Sequence, residues 1–390
     1  MHQGQYVFSQ VMDSVVRHRF NQCVARYGGE YRVREFSCWE QFLAMSFGQL
    51  SFRESLRDII ICLTAQHEKL YHLGFRTVVR RSTLSDANEA RDWRIYRDYA
   101  LILIQETRSI YVDDTSFTLD LEGTVFVVDS TTIEMCLNIF PWARYAKKQA
   151  AIKLNMGLDL KGNIPAFFDF SSAKENDMHF LDRIIYEAGS YYVLDRGYGD
   201  FKRLNTIHRA QAFFVTRARR NTVFRRIYSN DVDKSSGVKC DQVIYLSGYT
   251  AEERYPEKLR RIKYVDAETQ HVYVFLTNQF DVPAQTVADI YKHRWQVELF
   301  FRWIKQHLSV KSFWGRSQNS VKTQICIALC TYLLVAIMKK RLGIKRSSYE
   351  ILQILSVSLF DKTPMVELIS EFNLLEIETP IQNQAMLWDS

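Results

Sequence analysis

No CxxC pair occurs in this 390-residue sequence, and its seven cysteines are an odd number. A zinc ribbon and a disulfide framework are both disfavoured, and a reducing compartment is expected. Cys326 and Cys330 lie one helical turn apart in an apolar run and read as buried thiols. No GxxxxGK loop is present, so no nucleotide cofactor is expected. Met1–Gln10 lacks a basic-then-apolar pattern, so no signal peptide is expected. The longest apolar run, Ile325–Met338, is short for a bilayer span and contains Thr331 and Tyr332. It reads as a buried helix, and a cytoplasmic protein with no membrane partner is the expectation. No internal repeat or low-complexity stretch is visible.

What is present is apolar material and dispersed basic charge. Hydrophobic residues make up 47% and aromatics 14%, enough for a real core, and the length suggests two or three domains. Lys plus Arg number 51 against 44 Asp plus Glu, a formal charge of +7. Basic clusters recur at Arg76–Arg81, Arg217–Arg226, Arg260–Lys263, Lys292–Arg294 and Lys339–Arg346. Several basic patches on one chain suit a polyanionic partner such as nucleic acid, though charge alone fits a solvated surface equally well.

Residues 1 to about 110 show helical spacing in Trp39–Phe47, Phe52–Leu63 and Thr83–Ile104, with Ser82 or Thr83 as a cap for the last. The texture changes near Leu121. Thr124–Asp129 is a β-branched run ending in a carboxylate. Ile152–Leu160 and Ile164–Phe170 flank Lys161-Gly162-Asn163, a hairpin signal. A helix is expected over 177–187, with Asp177 as its cap. Ser190–Asp195 is a second apolar strand ending in a carboxylate, Asp200–Arg209 reads as a helix and Ala212–Thr216 as a strand. This order predicts an α/β ribonuclease H-like catalytic core. Residues 217–283 read as a β-rich insertion with strands at Gln242–Leu246, Arg261–Val265 and Val272–Thr277. A long helix is expected from Pro283 through Lys305, and residues 321–390 read as helical, with Ser348 as a cap. The expected division is a helical N-terminal domain (1–115), the catalytic domain with its insertion (116–320) and a helical C-terminal region (321–390).

Strand ends are where α/β folds place chemistry, which draws attention to Asp129 and Asp195. Either alone reads equally well as a turn residue or helix cap. The helix after Pro283 carries Tyr291, Glu298 and Lys305 at intervals of seven, a drift of only about 20° per step. Arg294 neighbours both Tyr291 and Glu298. Arg294 with Glu298 alone fits a solvated salt bridge, but that reading leaves Tyr291 and Lys305 on the same stripe unexplained. Two-metal phosphodiester cleavage calls for such carboxylates, with oxygen ligands suited to Mg²⁺. Arg and Lys on the same face suit phosphate binding. Tyr suits a phosphate oxygen or base stacking.

Tyr291-x2-Arg294-x3-Glu298-x6-Lys305 resembles the YREK signature of the DDE transposases of bacterial insertion sequences, the insertion-sequence type 4 family. Asp129 in Asp129-Ser130-Thr131 resembles that family's first aspartate, and Asp195 in Asp195-Arg196-Gly197-Tyr198 its second. The resemblance spans roughly residues 120–320, and Arg81–Asn88 also looks like the family's N-terminal region. It implies Asp129, Asp195 and Glu298 as catalytic metal ligands for two Mg²⁺ ions, with Mn²⁺ as a substitute. It implies Tyr291, Arg294 and Lys305 as DNA-binding residues, and double-stranded DNA, both terminal inverted repeats and target, as partner. It further implies a homodimer in the synaptic complex, end cleavage through a DNA hairpin, and insertion by 3′-hydroxyl attack. Arg80 and Arg81 are candidate end contacts, since a helix N-terminus preceded by arginines suits phosphate. The family's base-holding Trp in the insertion has no counterpart here, because no Trp lies between Asp195 and Tyr291. Tyr245, Tyr249, Tyr264 and Phe280 are candidate substitutes for stacking.

Three other readings compete. A ribonuclease H-like nuclease or resolvase would share the carboxylates but lack the YREK stripe and long insertion. A catalytically silent, transposase-derived DNA-binding protein would not need all three carboxylates. A glycosidase would use two carboxylates without the basic balance. Glu134, His179 and His293 are weaker candidates, and Gly123 and Gly315 read as isolated turn residues.

Overall fold

The computed structural model describes residues 4–114, 119, 121–307 and 313–369, the last of the 121–307 stretch by its backbone only. The expected boundary at 115/116 and the expected helical character of residues 370–390 lie outside the described residues.

Helices fill the first 110 residues: α1 (Val7–Met12), α2 (Arg17–Arg26), α3 (Cys38–Leu50), α4 (Leu56–Ala65), α5 (Arg81–Ala90) and α6 (Arg94–Ile110). A capping box starts α3, with Ser37 and Glu40 each bonding the other's backbone. The stretch expected as one helix over 83–104 is broken at residues 91–93. Tertiary bonds account for the break: the Arg91 guanidinium donates to the carbonyls of Phe36 and Ser37, and Asn319 bonds both the Arg91 carbonyl and the Trp93 amide. Arg80, with no side-chain cap bond, occupies the position expected for Ser82 or Thr83.

A sheet of ten strands follows: β1 (Val125–Met135), β2 (Arg144–Ala146), β3 (Gln149–Asp159), β4 (Ile164–Ser172), β5 (Tyr191–Leu194), β6 (Phe213–Arg217), β7 (Phe224–Asn230), β8 (Val238–Leu246), β9 (Leu259–Val265) and β10 (Val272–Thr277). Its central part runs β4-β3-β1-β5-β6. The β1–β3 and β3–β4 pairs are antiparallel, while β1–β5 and β5–β6 are parallel. That is the ribonuclease H-like order expected from the sequence. Asn163, with φ +53°, and Gly162, with φ +74°, turn the β3–β4 hairpin. Gly123 is more than a turn residue. At φ +110° a Cβ there would sit 2.3 Å from the Gly189 carbonyl oxygen, so only glycine lets β1 and β5 begin side by side.

The β-rich insertion does not stand apart. Its strands continue the same sheet in the order β6-β10-β9-β8-β7, and β7 is an additional edge strand. Two short helices interleave, α7 (Phe201–Arg209), capped by Asp200, and α8 (Tyr249–Arg254). The helix expected over 177–187 is a single 3-10 stretch, Asp177–Arg183, capped by Asn176 rather than Asp177.

Beyond the sheet come α9 (Ala284–Lys292), α10 (Trp295–His307), α11 (Gln318–Arg341), α12 (Ser348–Ser358) and α13 (Met365–Ile369). Ser347, not Ser348, caps α12 in a second capping box with Glu350. Helix α11 is long and apolar enough to cross a membrane, but 94% of its most apolar window is buried inside the fold. It holds the buried free thiols Cys326 and Cys330.

Strand alternation divides the core. Val125 and Val127 of β1, Tyr191 and Val193 of β5 and Val215 of β6 face one apolar cluster with α6, α9, α10 and α11. Phe126, Val128, Tyr192, Leu194 and Phe214 face the other, with α7.

Candidate active site

Val128 pairs with Leu194 across the parallel β1–β5 ladder. Asp129 and Asp195 are the next residues along those two adjacent strands. Parity puts Asp129 with Val125 and Val127, and Asp195 with Tyr191 and Val193, on the face that carries α9 and α10. Asp195 keeps extended backbone angles, φ −70° and ψ 163°. Its carbonyl accepts a hydrogen bond from the Thr216 hydroxyl at 3.3 Å, which ties the strand end to β6.

The helix expected from Pro283 through Lys305 is two helices. The break falls at His293-Arg294, where the Arg294 amide bonds the Tyr291 carbonyl at 3.0 Å and the Gln296 amide bonds the His293 carbonyl at 3.0 Å. These i to i−3 bonds tighten the backbone between α9 and α10. Tyr291 therefore sits at the end of α9, Arg294 in the break, and Glu298 in the first turn of α10.

This break aims its side chains at the strand ends. The Arg294 guanidinium lies 2.7 Å from Glu298 and 3.7 Å from Asp129. The Tyr291 hydroxyl donates to Asp195 Oδ1 at 3.3 Å. Two side chains thus engage all three carboxylates. Burial pushes the Asp129 carboxyl up to about 6; the Ser130 amide and Arg294 oppose this, while Glu298 and Asp195 add to it. Burial works against the Arg294 charge, but Tyr291, Glu298 and Asp195 outweigh it and raise its pKa. Burial and Asp195 also push the Tyr291 phenol up, so it stays a donor. Among the described residues no three Asp, Glu, His or Cys side chains are grouped as a ready metal cage.

Lys305 donates to the Thr132 carbonyl at 2.8 Å, which lays α10 along β1. Arg80 and Arg81 are exposed at the start of α5, and no contact joins them to the carboxylates. The Tyr291 ring is 7% exposed and packs on Phe275 at 4.9 Å, so it offers a hydroxyl and no face for a base. Tyr264 is likewise buried, whereas Tyr249 and Phe280 are exposed. Glu134 falls on the opposite face of β1 from Asp129, and His179 pairs with Asp182 and Arg203 in an exposed cluster.

Two features were hidden by reading along the chain. Arg196, the residue after Asp195, lines one cavity of about 260 Å³ with Arg217, Arg219, Arg220, Arg261 and Phe224; Val272, Val274 and Leu276 of β10 wall it from the sheet face opposite the one that packs on Tyr291. Arg217 lies over the Tyr273 ring and Arg261 over Phe224. The two basic clusters were visible in sequence, but their meeting depends on the antiparallel pairing of β6, β10 and β9. Trp295, adjacent to Arg294, is 49% exposed. A search confined to residues before Tyr291 misses it.

Residues 120–334, more than half of the chain, match the family model described as Transposase DDE domain. Residues 3–76 match a model described as a domain of unknown function. The transposase-named y4zB protein of Sinorhizobium fredii is 33% identical over 217 residues, 54% of this chain and 60% of that one. A Geobacillus stearothermophilus protein named as a transposase for insertion sequence element IS5377 is 32% identical over 211 residues, 54% of this chain and 55% of that one. The chain thus spans little more than half the length of these relatives. A Synechocystis protein named as a transposase for element IS4SA is 21% identical, over 66% of this chain and 71% of that one. Among solved structures, a piggyBac transposase synaptic complex with hairpin DNA aligns at TM-score 0.44 and 10% identity, over 90% of this chain and 77% of that one.

Proposed function

This chain belongs to the DDE transposase family, and we propose that it cleaves the terminal repeats of an insertion sequence and joins them to target DNA. The observation that carries the reading is the convergence of three carboxylates from three elements, β1, the end of β5 and α10, on one pair of side chains.

The donor set fits divalent metal. Three carboxylates offer hard oxygens, and Asp129 is pushed up first by burial and then by the nearby Glu298 and Asp195, an environment that a bound cation would relieve. Asp129, Asp195 and Glu298 would hold the ions, two Mg²⁺ with Mn²⁺ as a substitute. When bound, such ions activate the attacking oxygen and stabilise the leaving one.

The chain's own residues position the strand. Arg294 and the Tyr291 hydroxyl are donors beside the carboxylates, suited to the phosphate oxygens flanking the cut bond. Arg217, over the Tyr273 ring beside Tyr291, adds a further cation near the carboxylates, and Arg196, Arg219 and Arg220, gathered with it around a neighbouring cavity, are proposed contacts to DNA beyond the cut site. Lys305 fixes α10, and with it Glu298, against β1. Arg80 and Arg81 are proposed contacts to the outer part of the end sequence. A synaptic homodimer acting on two ends is part of the same proposal.

The test is direct. The full chain is incubated with a duplex carrying the element's end and Mg²⁺, and strands are resolved under denaturing conditions. Nicking at the end that disappears with EDTA and in Glu298→Ala supports the reading. End binding without nicking would favour a DNA-binding relative without catalysis.

A further inference from the structure

We propose that Arg294 is an internal counter-ion that neutralises the carboxylate cluster in the free protein and leaves it when metal and DNA phosphate enter, so that the two load together. The inference rests on the reading that these carboxylates hold divalent ions.

Among the described residues, Arg294 is the one cation paired with Asp129 or Glu298. Both acids are mostly covered, with side-chain exposures of 20% and 32%, and the guanidinium is 18% exposed. Charges taken this far from water need a partner, and the guanidinium fork supplies one to both. Asp195 is engaged separately by the Tyr291 hydroxyl. The carboxylates are therefore satisfied by protein groups rather than splayed open as a vacant cage.

A divalent ion cannot simply join this arrangement. It would compete for the same oxygens and repel the guanidinium at close range in a partly dry site. Arg294 must then find another anion. On the Tyr291 side the neighbour is a second cation: Arg217 lies over the Tyr273 ring and is close enough to influence the Tyr291 phenol. A DNA phosphate is the anion that this surface would accept. Release needs no refolding, because Arg294 lies in the break between two helices, at the root of a long flexible side chain.

Linkage follows. Phosphate favours the released arginine, the released arginine frees carboxylate oxygens, and metal binds those oxygens; by reciprocity metal strengthens phosphate binding. The free protein is thereby kept from loading a cleavage-competent site away from DNA.

The test measures Mn²⁺ binding to the full chain by the loss of the free-ion electron paramagnetic resonance signal, with and without a duplex in Ca²⁺-free buffer. If the latched state outweighs the released one by about ten to one, wild-type affinity without DNA is about tenfold below that of Arg294→Met. Duplex should tighten Mn²⁺ binding in wild type and barely change it in Arg294→Met. Adding Asp129→Asn to Arg294→Met should remove the tight site, which locates it. Arg294→Lys retains the charge without the fork and should fall between, a check that does not depend on the methionine variant folding normally. Equal Mn²⁺ affinity in wild type, Arg294→Met and Arg294→Lys without DNA would overturn the counter-ion role while leaving the metal site standing. No Mn²⁺ binding by any of them, with or without duplex, would remove both.

Discussion

Tyr291 and Asp195 meet across 3.3 Å, phenol to carboxylate, at the point where α9 ends over the tip of β5. The contact joins a buried aromatic cluster to a candidate metal ligand, since the same ring packs on Phe275. Tyr291→Phe keeps the ring and loses only the hydroxyl, so stability should fall by about 1–2 kcal/mol. Tyr291→Ala empties an aromatic-sized space and should cost about 3–5 kcal/mol. Chemical denaturation of the two variants separates these outcomes. Cleavage by Tyr291→Phe should drop more than its stability does.

The pH behaviour of Asp129 has a definite sign. Its carboxyl is pushed up to about 6 in the folded protein, above its unfolded value. Below the unfolded value both states carry the proton and Asp129 contributes nothing. As pH rises toward 6 the unfolded chain ionises first, so this residue reduces stability increasingly until both states are ionised. Metal-free Asp129→Asn should therefore melt higher than wild type at pH 7.5 and equal to it near pH 3.5. A melting series across that range checks it. Metal affinity should weaken as pH falls through 6, because the proton competes with the ion for Asp129.

A second charged pair lies deeper. Arg260 and Asp241 are each 5% exposed and 2.7 Å apart, and Arg260 also donates to the Val282 carbonyl at 2.6 Å. One guanidinium thus fastens strands β8 and β9 to the loop that feeds α9. Arg260→Met leaves Asp241 charged without its partner and should cost about 3–5 kcal/mol, read by urea unfolding.

The arginine cavity predicts a salt signature. Arg219→Ala and Arg220→Ala should each lower DNA affinity for any sequence and reduce the slope of log affinity against log salt by about one. Titrations at several salt concentrations measure this. Unchanged slopes would remove those residues from the DNA path.

Much of this site could be read along the chain because its cues are local. Apolar runs ending in carboxylates marked Asp129 and Asp195, and the Arg294–Glu298 spacing anticipated the observed i,i+4 ion pair. The break between α9 and α10 had no such cue. His293 and Arg294 are not helix breakers, and the interval of seven survives across the tightened turn. The 177–183 segment looked helical, yet it is held by ion pairs to other strands, Lys153 with Asp177 and Arg183 with Asp169. Strand β7 was missed because nearly all of it is exposed, so Phe224–Asn230 carries no buried–exposed alternation. The joining of the insertion to the sheet depends on pairing between residues far apart in sequence, such as Phe275 with Arg217, which periodicity does not encode.

Asp129, Asp195 and Glu298 are proposed to hold the ions that cut DNA. The most direct measurement replaces Asp195 by Cys and assays end cleavage in Mg²⁺ and in the more thiophilic Mn²⁺. Cleavage by Asp195→Cys should be lost in Mg²⁺ and partly restored in Mn²⁺, with Asp195→Ala inactive in both. Undiminished Mg²⁺-dependent cleavage by Asp195→Cys would contradict that assignment.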